Sequence, residues 1–189
     1  MILDFIEIKT IYLIFHLFGI AIGAGGAFAS DLIFFKSVKD GRLSATEFGF
    51  MELGGKMVWV GLAILVISGV LLFSLNPETY IVSSKFQLKM TVVAIIIANG
   101  IVLHLSFIPK LKAATKIGDI NVAEFVRQNP FLLVSGVVSM VSWSSAIILG
   151  ALRGIPYSYW LILAVYLAII LCGIAAAFLL KPRMFPKSK

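Results

Sequence analysis

Charge, histidine and cysteine are all scarce in this chain. Aspartate and glutamate number nine against sixteen lysines and arginines, and the four types together make up only 13% of the 189 residues. Soluble domains carry about 25% charged residues, so a soluble globular enzyme is excluded. The single cysteine, Cys172, excludes disulfides and cysteine-rich metal sites. The two histidines, His16 and His104, cannot close a structural zinc site without cysteine partners. A phosphate-cradling glycine loop, a metalloprotease motif and a hydrolase nucleophile elbow are likewise missing.

What the chain has instead is apolar length: 60% of residues are hydrophobic and the mean hydropathy is +1.05. Charge-free runs at Val58–Leu75, Met90–Pro109, Phe131–Leu152 and Gly154–Leu180, with Thr10–Ser30 broken only by His16, approach or exceed the ~20 residues that cross a bilayer. The expected fold is therefore all-α, one polytopic membrane domain over residues 1–189. Its five transmembrane helices are expected near residues 10–35, 56–75, 87–109, 130–151 and 157–180.

The net charge of +7 is read as topology and lipid contact, not as affinity for nucleic acid. With five spans, Lys9, Lys85, Lys89 and Arg153 fall on one side, and the other twelve basic residues, from Lys36 to Lys56, Lys110 to Arg127 and Lys181 to Lys189, on the opposite side. The positive-inside rule makes the second side cytoplasmic, with the N-terminus out and the C-terminus in, as in a multi-pass protein of the inner (plasma) membrane. Ala27-Phe28-Ala29 before Ser30 has the small-residue pattern of a signal cleavage site. The acidic start, Asp4 and Glu7 against Lys9, lacks the basic leader such a signal needs, and the first segment is read as a retained span.

Ser44 followed by Glu47 has capping-box spacing and places a helix start near Ala45. Asn121 to Arg127 reads as a helical turn along the headgroups, and Asn129-Pro130 as the restart into the fourth span. Short turns near Asn76-Pro77 and Gly154-Ile155-Pro156 make consecutive helices antiparallel neighbours. Tyr157, Tyr159 and Trp160 suit an aromatic belt, and the tail Lys181–Lys189 an anionic lipid surface.

An ionisable residue inside a span is a functional-site candidate by default. His16 is one, and Gly19, Gly23, Gly26 and Ser30 follow it at helical spacing on the same face. Such a flat face accepts either a neighbouring helix or a planar macrocycle whose metal the histidine ligates. His104 is the second candidate metal ligand, with Asn99, Gly100 and Lys89 nearby on its helix. At 1.5 Å per residue the two histidines differ in depth by about 12 Å, which disfavours their joint ligation of one iron. Two sites are therefore expected: an outer one of His16 with Lys89, Met90 and Ser142, Trp143 or Ser145, and an inner one of His104 with Met57, Trp59, Asp31 and Lys36. Lys89 is either a snorkelling cation or a group acting on substrate. Asp31 is expected to pair with Lys36 or Lys110. Ser135, Ser139, Ser142 and Ser145 form a closely packing polar stripe.

Phe15-His16-Leu17-Phe18-Gly19-Ile20, continuing through Gly26-Ala27-Phe28, resembles the first helix of HemJ-type protoporphyrinogen oxidases and their CopD-like relatives. Ser84 to Thr91 and Asn129 to Leu133 are similar to the starts of that superfamily's third and fourth helices. The resemblance implies a helical bundle holding haem b, with His16 and Lys89 in functional roles. The chain departs from the family where it has Asp31 and apolar neighbours in place of an arginine late in helix one, and Asn99-Gly100 in place of a tyrosine-histidine pair. It also lacks the methionine- and histidine-rich clusters that soft copper sites want.

Two functions follow as expectations. The first is a haem b-binding membrane protein in electron transfer or in oxidation of a hydrophobic, tetrapyrrole- or quinone-like substrate, with Lys89 catalytic and His16, His104, Gly19, Gly23 and Gly26 holding the cofactor. The second is a non-enzymatic membrane module, either a helix-docking subunit or a small transporter. The glycine faces also suit a second copy of the chain or a partner membrane subunit.

Overall fold

A computed structural model describes residues 7–116, 118, 120–152 and 156–184, with the backbone alone for 120, 123 and 181–184. Asp4, Arg153, Gly154, Ile155, Lys187 and Lys189 lie outside the described residues. Among those described, five helical segments are long and apolar enough to cross a membrane, the architecture of a multi-pass membrane protein. The first is α1 (Ile8–Asp40) and the second α2 (Ala45–Ser74). After the short α3 (Pro77–Ile81), the third runs from α4 (Ser84–Val102) through a π-helical turn (Leu103–Phe107) into α5 (Ile108–Thr115). A further short helix, α6 (Val122–Gln128), precedes α7 (Phe131–Ala151) and α8 (Tyr159–Met184). Here "upper" denotes the end where α1 begins and "lower" the end where it finishes.

Local chemistry sets several of these boundaries. Ser44 Oγ accepts the Glu47 amide at 3.2 Å while Glu47 Oε2 accepts the Ser44 amide at 3.0 Å, the reciprocal capping box expected from the sequence. Asn121 Oδ1 accepts the Glu124 amide at 3.1 Å and starts α6. Gly41, at φ 75°, closes α1 in the left-handed conformation that a side chain would resist. Helix α1 runs on to Asp40, past the expected span end near residue 35, while α2 starts at Ala45 as its capping box predicts, ahead of the span expected from residue 56.

The π turn was not foreseen. Pro109 has no amide hydrogen and its ring crowds the preceding turn. The helix widens just before it, and the Ile108 amide donates to the Leu103 carbonyl five residues back. The widened turn carries His104.

Packing divides into two apolar clusters. The upper one gathers Leu62, Leu65, Val92, Trp143, Leu149 and Tyr166 from the long helices. The lower one gathers Val38, Leu43, Phe48, Leu111, Val122 and Val126. A two-stranded antiparallel ladder, β1 (Arg42–Leu43) with β2 (Ile120–Asn121), pairs Arg42 with Asn121 and Leu43 with Ile120 and ties the lower cluster together. The lower end is thus a packed cap. The remaining apolar side chains, such as Phe15, Phe18, Leu105 and Leu171, point outward, as lipid-facing residues do.

The α1–α2 seam is the most extensive helix pair. A Cβ on Gly19 would stand 2.7 Å from the Leu65 amide nitrogen, and one on Gly26 would stand 2.6 Å from the Gly54 carbonyl oxygen. A Cβ on Gly61 would meet the Gly19 carbonyl oxygen at 2.7 Å. Two backbones approach this closely only where no side chain stands between them. Ser30 Oγ, bonded to the Gly26 carbonyl of its own helix at 2.9 Å, also reaches the Met51 carbonyl of α2 at 3.3 Å and continues the seam downward.

Candidate functional site

The chemistry-bearing residues fall into an upper group around His16 and a lower cavity around Asp31 and His104. In the upper group His16 Nδ1 lies 3.0 Å from Ser68 Oγ, and Gly69 sits beside the same ring. Ser68 Oγ also lies 2.6 Å from the Ile64 carbonyl oxygen. Lys89 is half-buried within electrostatic reach of the ring, with no salt-bridge partner among the described residues. Met90 faces outward.

Of the two occupants expected for the glycine face, the structure seats a helix. Gly19 and Gly26 meet α2, and Gly23 meets Gly61 and the ring of Trp143. A planar macrocycle does not fit this face without displacing α2, so Gly19, Gly23 and Gly26 are seam residues here. The serine stripe divides among several neighbours. Ser142 Oγ and Tyr166 Oη are 2.7 Å apart in a buried pair between α7 and α8. Ser135 Oγ donates to Asn99 Oδ1 at 2.7 Å while Asn99 Nδ2 donates to the Ser135 carbonyl at 3.1 Å, clamping α7 to α4. Of the outer group expected from sequence, Lys89 stays within reach of His16 while Ser142 pairs with Tyr166, and His16 meets Ser68, a residue that the sequence alone did not single out.

The lower cavity has a volume of about 330 Å³ and receives residues from all five long segments. Such a volume lies within the ~300–1,000 Å³ of pockets that enclose small organic ligands. It sits between the two apolar clusters: Ile96 and Trp143 belong to the upper one, and Phe107, Leu111, Leu132 and Leu133 to the lower. Ser30, Asp31, Asn99, Ser139 and His104 are its polar points, and Trp59 and Trp143 are its largest aromatic residues. Trp59 is held over Gly100, where an added Cβ would stand 3.4 Å from the ring. Gly55 and Gly136 border the same space, and neither has any heavy atom within 4 Å of where a Cβ would be.

Asp31, Trp59 and His104, grouped from sequence, do come together here; Met57 and Lys36 do not. Met57 backs Gly26 in the seam. Lys36 Nζ reaches Glu47 at 3.9 Å, and Lys112 Nζ reaches Glu52 at 2.9 Å. The expected pairing of Asp31 with Lys36 or Lys110 is therefore not made: Asp31 Oδ2 is buried and has no hydrogen-bond partner among the described residues. His16 does not line the cavity. Among the described residues no group of three or more His, Cys, Asp or Glu could hold a metal ion. The cavity is thus chemically simple: a largely apolar chamber with one unpartnered carboxylate oxygen and one imidazole. No family model, curated protein or solved structure matches the chain.

Proposed function

We propose that this chain is a non-enzymatic membrane module that takes a small, mainly apolar molecule into the lower half of its helix bundle. The observation that carries this reading is the cavity of about 330 Å³ between two well-packed clusters, where close packing would otherwise leave no such space. The ligand reaches the chamber from lipid, and the packed lower cap of β1, β2 and α6 hinders its escape to water on that side. Gly136→Leu, which fills the chamber from an open position, is the direct test.

The topology proposed with it places the lower end in the cytoplasm. Lys36, Lys39, Arg42, Lys110, Lys112, Lys116 and Arg127 all lie toward that end, whereas Lys9, Lys85 and Lys89 mark the upper one. In a Cys172→Ser background, a cysteine at Tyr157 is expected to react with an impermeant maleimide in intact cells. One at Gly118 is expected to react only after permeabilisation. The reverse pattern would invert the orientation.

A second reading is favoured by His104, which faces the chamber from a π turn, a distortion frequent at functional sites. Here His104 offers an imidazole to haem b, and the haem supplies one-electron chemistry toward a hydrophobic substrate. Lys89, near the upper end, stands apart from this chamber. On this reading, protein purified from haem-replete cells shows a Soret band and sharp dithionite-reduced bands that His104→Ala abolishes. A featureless spectrum from folded protein rejects it.

A further inference from the structure

We infer that the occupant of the lower cavity is a lipophilic organic cation, held by Asp31 and flanked by Trp59. This rests on the reading of the chamber as a binding site and adds the charge of what it binds.

Asp31 lines the chamber, and its Oδ2 is buried without a hydrogen-bond partner among the described residues. A buried polar atom left unpaired is costly, and a charged one more so, unless a partner arrives. The chain's own cations do not fill that place: Lys36 turns to Glu47 and Lys112 to Glu52. Asn99 is also committed, in its reciprocal pair with Ser135. A ligand donor or positive charge thus completes the site.

The other walls select the kind of cation. A divalent metal wants several oxygen or nitrogen ligands, and the chamber presents one carboxylate and one imidazole, with Asn99 committed to Ser135, Ser30 bonded to a backbone carbonyl and Ser139 as the remaining hydroxyl. An organic ammonium instead places its charge beside Asp31 and its carbon against those walls. The Trp59 indole in the lining adds a ring whose negative quadrupole attracts such a group. An anion would meet the Asp31 carboxylate, with His104 as its sole basic partner in the lining.

The experiment uses the full chain in lipid nanodiscs with three probes of one shape: phenylbutyl-trimethylammonium, its uncharged isostere with a tert-butyl head, and the matching phenylbutyl sulfonate. Tryptophan quenching and calorimetry report binding. The cation is expected to bind the wild type about tenfold or more tighter than the isostere. Asp31→Asn should remove that preference while leaving isostere affinity within about twofold, and Asp31→Glu should retain it. Wild-type selectivity is decisive by itself should a variant fail to fold. Equal binding of cation and isostere overturns the charge assignment but leaves the chamber as an apolar site. Tightest binding of the sulfonate overturns it in favour of His104. Failure of all three probes to bind overturns both the cation and the binding reading.

Discussion

Gly61→Ala and Gly26→Ala are each expected to destabilise the protein by about 1–3 kcal/mol, the usual cost of forcing atoms into a filled interior. A methyl at Gly61 would meet the Gly19 carbonyl oxygen at 2.7 Å, and one at Gly26 the Gly54 carbonyl oxygen at 2.6 Å. Backbone atoms are the obstacle in both cases, so no rotamer change relieves the clash, and α1 and α2 must move apart along their whole seam. Gly25→Ala, one residue from Gly26 but with no heavy atom within 4 Å of its Cβ position, is the control. It should be neutral or slightly stabilising, since alanine is the better helix former by ~1 kcal/mol. Thermal unfolding in detergent distinguishes the three variants. Equal midpoints for Gly25→Ala and Gly61→Ala would show that the seam is looser than these distances imply.

Gly136→Leu should weaken binding of a chamber ligand by about thirtyfold or more, because the new side chain occupies the space in which the ligand's apolar surface is buried. Gly136 is suited to this test because it borders the chamber and nothing stands within 4 Å of its Cβ position. Leucine there fills space instead of displacing neighbours, so the unfolding midpoint is expected to hold or rise. Unchanged affinity with an unchanged midpoint would place the ligand elsewhere. Gly150→Leu, on the same helix with an equally open Cβ position but outside the chamber, separates cavity filling from a general effect of bulk on α7.

The sequence by itself determined which segments are helical, because twenty-residue apolar runs satisfy their backbone only as helices in lipid. It also determined the short-range boundaries: the Ser44–Glu47 box and the Asn121 cap are contacts over three residues, written in the chain order. The grouping of Asp31, Trp59 and His104 was legible for a similar reason, since rise per residue along antiparallel helices sets depth.

Tertiary structure decided what each face meets. A glycine stripe reads the same whether a helix or a macrocycle lies on it, and only the approach of Gly54 and Gly61 to Gly19, Gly23 and Gly26 assigned that face to α2. The partners of His16, Asn99 and Ser142 lie 52, 36 and 24 residues away, beyond any local pattern. The isolation of Asp31 was equally hidden, because Lys36, the lysine nearest it in sequence, lies with Glu47. Helix identity follows from composition and local hydrogen bonding, but helix rotation, and with it the chamber, follows from which small residues let two backbones touch.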